Sequence, residues 1–115
     1  MSEENELNII TWKIHETHPD LVEPIRKGLT NVVDPEIGMN ILQLGLIRQV
    51  SIEDETTKIT MILTTPFCPY APSMVEATRK AAKEALGQEA VVRIGADIWD
   101  FSMMEDPAAL DWGIF

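Results

Sequence analysis

The chain has 115 residues, 45% hydrophobic and 24% charged, with one cysteine and a net charge of −10. That length supports one hydrophobic core rather than two, and a lone cysteine excludes an internal disulfide. The acidic start Met1–Glu6 lacks the basic region of a secretory signal, no apolar run approaches the roughly 20 residues of a membrane span, and no Lys or Arg follows Arg93. Nucleic acid and membrane are therefore disfavoured as partners, and a cytoplasmic location is expected.

Residues 1–18 read as an acidic N-terminal extension ahead of a domain spanning 19–115. Within the extension, Leu7–Ile14 is predicted as a short strand with Ile10, Trp12 and Ile14 on one side. His15–His18 is predicted as a linker. His15, Glu16 and His18 are metal-ligating types, but three such residues in a linker arise readily by chance, and no metal is assigned to them. Asp20, with Glu23 three residues later, predicts a capped helix whose stripe is Val22, Ile25, Leu29 and Val32. Gly28 weakens its middle. Residues 31–40 predict a loop, since Pro35 pushes Asp34 out of the helical region and Gly38 permits a turn. Asp34 and Glu36 flank that proline. On spacing alone they solvate the turn or cap a local N–H.

Leu44–Glu53 alternates as a strand, with Leu46, Val50 and Ile52 inward. Asp54–Thr57 is predicted as a four-residue hairpin loop. The return strand has Ile59, Met61 and Leu63 on one face, with Ile62 out of step. Pro66 cannot donate to a ladder, so this strand ends near Thr65. Pro66, Pro69 and Pro72 bracket Phe67-Cys68 and fix φ around it. A helix follows to Leu86, with Met74, Val75, Thr78, Ala81, Ala82, Ala85 and Leu86 as its stripe and Gly87 as its stop. Its start has two readings: a capping box of Ser73 with Glu76, or Pro69 at the first position with Cys68 as cap. Either places Cys68 at or just before a helix N-terminus, which favours a thiolate. A small buried thiol in a turn fits the same residues.

Ala90–Ile98 is predicted as a third strand, with Val92, Ile94, Ala96 and Ile98 on one face. It runs parallel to the second because a helix separates them. The sum is an α+β two-layer domain, a small mixed sheet with helices on one face. The loop before Leu44 should open at the same end of the hairpin as the strand end, which sets Asp34 and Glu36 near Cys68. From Trp99 a tail mixes Phe101, Met103, Met104, Leu110, Trp112, Ile114 and Phe115 with acidic residues. It either folds back over the sheet or core or offers a sticky surface.

Three pieces together carry a resemblance. They are Asp34-Pro35-Glu36-Ile37-Gly38-Met39-Asn40-Ile41 running into Leu44-Gly45-Leu46-Ile47, then Leu63-Thr64-Thr65-Pro66-Phe67-Cys68-Pro69, then a Trp and Met-Met segment near the end. In these the chain resembles the metal–sulfur cluster biosynthesis factors that include SufT and the PaaD subunit. The resemblance runs over residues 20–112. It implies the fold of iron–sulfur assembly domains and a role in maturing iron–sulfur proteins. It implies further that Cys68, Thr64, Thr65, Asp34 and Glu36 carry that role. The chain departs from the pattern where Phe67 stands in place of a common glycine, and where Trp99-Asp100-Phe101 lacks the usual proline. The segment before His18 has no counterpart in it.

The resemblance implies an accessory factor of cluster assembly, repair or transfer, rather than an enzyme. No catalytic residue is assigned, because Cys68 has no histidine near it in sequence. The alternative is a PaaD-like subunit of a multicomponent ring oxygenase. Clusters usually take four cysteine ligands, so Cys68 is expected as a transient metal ligand shared with a client, a small thiol or a second copy in a homodimer. No cofactor is expected to stay bound; iron or an iron–sulfur cluster passes through. The expected partners are the assembly machinery and apo-client proteins. The aerobically purified chain should accordingly be colourless and nearly iron-free by absorption spectrum and iron analysis. One chromophoric cluster per monomer, ligated by this chain alone, would refute that.

Overall fold

The computed structural model describes residues 10–65 and 69–104. Expectations on residues 1–9, on Pro66, Phe67 and Cys68, and on 105–115 lie outside the described residues. Three strands form one mixed sheet in the order β1 (Ile47–Glu53), β2 (Thr56–Met61), β3 (Ala90–Ile94). β1 and β2 are antiparallel, from Ile47 opposite Met61 to Glu53 opposite Thr56. β2 and β3 are parallel, from Thr57 beside Ala90 to Met61 beside Ile94. The period-two pattern decides the faces. Thr57, Ile59, Met61 and Ala90 are buried, while Lys58, Val91 and Arg93 are exposed.

The long helix between β2 and β3 packs against β3, and the helix Val22–Leu29 packs on it in turn. Numbering the short helix Ile14–Thr17 as α1, these are α3 (Ala71–Leu86) and α2 (Val22–Leu29). The α3 stripe buries Met74, Thr78 and Ala82; α2 buries Ile25 and Leu29. Gly28 sits where the two helices cross. A Cβ there would lie 2.9 Å from the Ala85 Cβ and 3.2 Å from the Ala81 carbonyl oxygen. Glycine's lower helix propensity, about 1 kcal/mol, is the counterpart of that close approach. Trp12, Ile14, Ile41, Leu44, Leu46 and Ile47 complete the core, each large side chain contributing about 1.5–3 kcal/mol by leaving water.

Several elements differ from the sequence expectation, each for a physical reason. Residues 10–13 form no strand, and the predicted linker is helical at Ile14–Thr17, then a 3-10 turn at Pro19–Leu21. Here the N-terminal segment is fixed by side chains rather than a ladder. The Trp12 indole donates to the Ile47 carbonyl at 3.1 Å, the Lys13 N–H to the Gln49 side chain at 2.6 Å, and the Trp12 N–H to His15 Nδ1 at 2.8 Å. The Arg26 guanidinium lies 5.7 Å from the Trp12 ring centroid. Asp20 caps nothing, because the 3-10 turn runs straight into α2 and the Val22 N–H is met by the Pro19 carbonyl. β1 starts at Ile47 rather than Leu44, since Gly45 has φ +75° and breaks the extended run. A register shift between Ile47 and Gln49 leaves Arg48 as an extra residue. β3 ends at Ile94 rather than Ile98, and Ile94 and Ile98 are exposed. β2 has already ended at Met61, so nothing remains beyond Gly95 for a third strand to pair with.

The hairpin loop is two residues, not four. Asp54 and Glu55 connect β1 to β2 with φ of 52° and 62°. A two-residue turn with positive φ at both positions matches the twist of the strands it joins. A non-glycine residue in that region carries strain of about 1–2 kcal/mol, partly offset by the smaller entropy it loses on folding. Glu55→Gly is therefore expected to raise stability by about 0.5–1 kcal/mol, read as a higher urea midpoint with unchanged slope. A lower midpoint would show that Glu55 makes a compensating contact.

Candidate functional site

Three backbone hydrogen bonds tie the loop before β1 to the end of β2. The Ile41 N–H donates to the Val32 carbonyl at 2.9 Å, the Leu46 N–H to Ile41 at 3.0 Å, and the Ile62 N–H to Leu46 at 2.8 Å. Residues 33–40 fold into a small closed loop through a bridge between Val33 and Asn40. The Asp34 N–H meets the Met39 carbonyl at 2.9 Å, and the Gly38 N–H meets the Asp34 carbonyl at 2.7 Å. Gly38, at φ +86°, turns the chain back. This geometry turns the Asp34 side chain inward, where it is fully buried.

The buried carboxylate serves two partners. Its Oδ1 accepts the Glu36 N–H at 2.8 Å, and its Oδ2 accepts the Thr64 hydroxyl at 3.4 Å. The second distance is long for a hydroxyl–carboxylate bond, so it fixes proximity more than it contributes energy. A buried carboxylate is costly unless hydrogen-bonded, and Asp34 makes no ion pair among the described residues. The turn-capping expectation and the site expectation for Asp34 thus meet in one side chain. Asp34 lies at the Thr64 end of the hairpin, away from Asp54. Glu36 supplies only its backbone N–H here; its side chain is exposed. Thr65 follows, half-buried.

Cys68 lies outside the described residues. On its far side α3 begins at Ala71 with Tyr70 as N-cap, and no side-chain cap is made. Neither predicted start holds. Pro72 falls in the first turn, where a missing N–H loses nothing, so the helix starts ahead of Ser73. Cys68 stands two residues before the cap in sequence.

The Trp99 indole donates to the Leu44 carbonyl at 2.6 Å, Met104 is buried, and a Cβ on Gly45 would collide with the Met103 carbonyl oxygen. Residues 99–104 therefore fold back over the loop that precedes β1. The bulge turns Arg48 toward this region. Its Nη1 donates to the Gly45 carbonyl at 3.0 Å, and its Nε lies 4.0 Å from Asp97. The Ser102 hydroxyl and N–H hold the Asp100 carboxyl below its ordinary range. Among the described residues no group of three or more His, Cys, Asp or Glu side chains is placed to hold a metal, and no helix is long and apolar enough to cross a membrane.

A small α+β domain in which the segment leaving β2 meets a buried aspartate at Thr64 and runs on in sequence to a proline-bracketed cysteine defines a recognisable class. A family model described as "Iron-sulfur cluster assembly protein" matches residues 23–95, and the chain belongs to that family. The Bacillus subtilis (strain 168) Fe-S protein maturation auxiliary factor YitW is 48% identical over 62 residues, covering 53% of this chain and 61% of that protein. An iron-sulfur cluster carrier protein of Synechocystis sp. is 40% identical over 70 residues, covering 60% of this chain and 20% of that protein. The chain thus matches less than two thirds of the length of either relative. A crystal structure of a domain of unknown function, DUF59, from Bacillus anthracis superimposes with a TM-score of 0.74 at 26% identity, over 86% of this chain and 97% of that one.

Asp34→Ala would leave the Glu36 N–H and the Thr64 hydroxyl without this acceptor. It is expected to lower stability by about 1–3 kcal/mol. Thr64→Val, which keeps the side-chain shape, should lower it by less than about 1 kcal/mol. Urea unfolding of both variants checks this; a larger loss from the threonine change would overturn the assignment of Asp34 as the anchor.

Proposed function

We propose that this chain is an accessory factor of iron–sulfur protein maturation, not an enzyme, and that it passes a cluster or its iron to apo-proteins through Cys68. The observation that carries the reading is the bond between Asp34 and Thr64. It sets Thr64, three residues past the end of β2 and four ahead of the only cysteine, beside the buried carboxylate. Names of relatives support the direction: a maturation auxiliary factor on one side, a cluster carrier on the other. Thr64 and Thr65 hold the approach to the cysteine, and Asp34 holds Thr64. Glu36, exposed at the loop rim, is the carboxylate free to meet iron or a partner. A single thiolate fills one of the four cysteine positions a cluster usually takes, so the cargo is shared with the donor or the recipient and held only in passing. The work is placed in the cytoplasm, with the assembly machinery and apo-clients as partners.

Cys68→Ser is nearly isosteric. It is expected to leave the thermal midpoint within a few degrees, about 1 kcal/mol or less, and to abolish rescue of iron–sulfur enzyme activities in cells lacking the native gene. Full rescue by the serine variant would sink the mechanism.

A further inference from the structure

Beyond Met61 and Ile94 the two parallel strands separate. The last bond between them runs from the Gly95 N–H to the Met61 carbonyl at 2.8 Å, while the Ile62 N–H turns away to Leu46. A groove of about 370 Å³ opens between residues 62–64 and 94–99. Its lining is mostly apolar, and Ile98 is 84% exposed. On its two walls, the backbone groups of Leu63, Ala96 and Ile98 make no hydrogen bond to another described residue. Unpaired backbone on both sides of an apolar floor suits an extended peptide, whose main chain bonds the walls while a side chain fills the floor.

Charge selects among occupants. Asp97 is the one ionisable side chain lining the groove and is 65% exposed. Asp97, Asp100 and Arg48 near the mouth sum to one negative charge on a chain of net −10. A second copy would bring another Asp97 and another −10. The chain's own residues 105–115 bring Glu105, Asp106 and Asp111. Both are repelled; a cationic segment is attracted.

We propose that this groove receives an extended segment of a protein partner, an aliphatic side chain seated among Ile62, Leu63 and Ile98 with a Lys or Arg beside it facing Asp97. Thr64 lines the groove and also bonds Asp34, so the partner's segment is held next to the stretch of this chain that leads from β2 toward Cys68 in sequence. That the partner is an apo-client rests on the function proposed above; the groove's chemistry does not.

A random peptide library displayed on phage, selected on the immobilised full-length chain, tests this. Enriched peptides should combine an aliphatic residue with an adjacent Lys or Arg. They should bind Asp97→Lys and Ile98→Glu about tenfold more weakly. Both positions are exposed and the Asp97–Arg48 pairing is a long surface one, so the thermal midpoints should stay within a few degrees. No enrichment, enrichment of acidic peptides, or equal binding to both variants overturns the proposal. Self-association of the chain that Ile98→Glu abolishes would give the groove to a second copy instead. Binding is read without iron or cellular rescue, so this test and the Cys68 test can fail separately.

Discussion

The hydrogen bond from the Ile62 N–H to the Leu46 carbonyl decides how the rest of the molecule is arranged. At that residue β2 stops serving β3 and starts serving the loop before β1. One consequence is structural closure. Leu46 is bonded to Ile41, and Ile41 to Val32, so the segment holding Asp34 is tied to the strand end by a chain of backbone bonds rather than by side-chain packing alone. The other consequence is an opening, because strands that no longer pair must diverge. Anchored carboxylate and apolar groove are two results of the same change of partner.

Around this junction small residues mark the places where backbone must approach backbone. Gly45 admits the Met103 carbonyl, and Gly95 sits so close to β2 that a Cβ would lie 2.9 Å from Thr60 Cγ2. The Arg48 bulge works in the same sense. An extra residue in a strand re-aims its side chain, here toward Gly45 and Asp97. Residues 99–104 are held by the Trp99 indole and by Met104, and Asp100 among them stays exposed.

The sheet and long helix were legible because their patterns are local. Alternation at Ile59 and Met61 against Lys58, and the stripe Met74, Thr78, Ala82, follow from strand and helix periods. Ile62 read as an exception and is one: it is buried because it has left the ladder for Leu46. The third strand was read through to Ile98 because alternation cannot tell where a neighbouring strand ends. The N-terminal segment was opaque for a related reason. Trp12 finds its place through Ile47, thirty-five residues on, and nothing local announces that. Helix starts failed where two good signals competed. Asp20 and Ser73 are fine caps by composition, but Pro19 and Pro72 set the actual entry points. For the site, the hairpin topology implied which end Asp34 should occupy. A role for Thr64 was implied only by the family resemblance, because a threonine pair before a proline carries little signal alone. The groove could not be read at all, since it exists only where two strands part.

The sheet pairs its strands over two very different chain separations. β1 and β2 are joined by Asp54 and Glu55 alone, whereas β2 meets β3 only after residues 62–89 have been traversed. Short-range hairpins close within about 1–10 μs, while long-range parallel pairing must first meet a larger loop-closure entropy. On a ribosome the hairpin is complete as soon as Met61 emerges. Its β2 edge, with Ile59 and Met61 on the apolar face, then stays bare until Ala90–Ile94 follow. An uncovered edge of that kind invites pairing with other nascent chains. α3 is thus a cover for the core in the finished domain and a delay during synthesis, and the interval it imposes is when this chain is most open to aggregation.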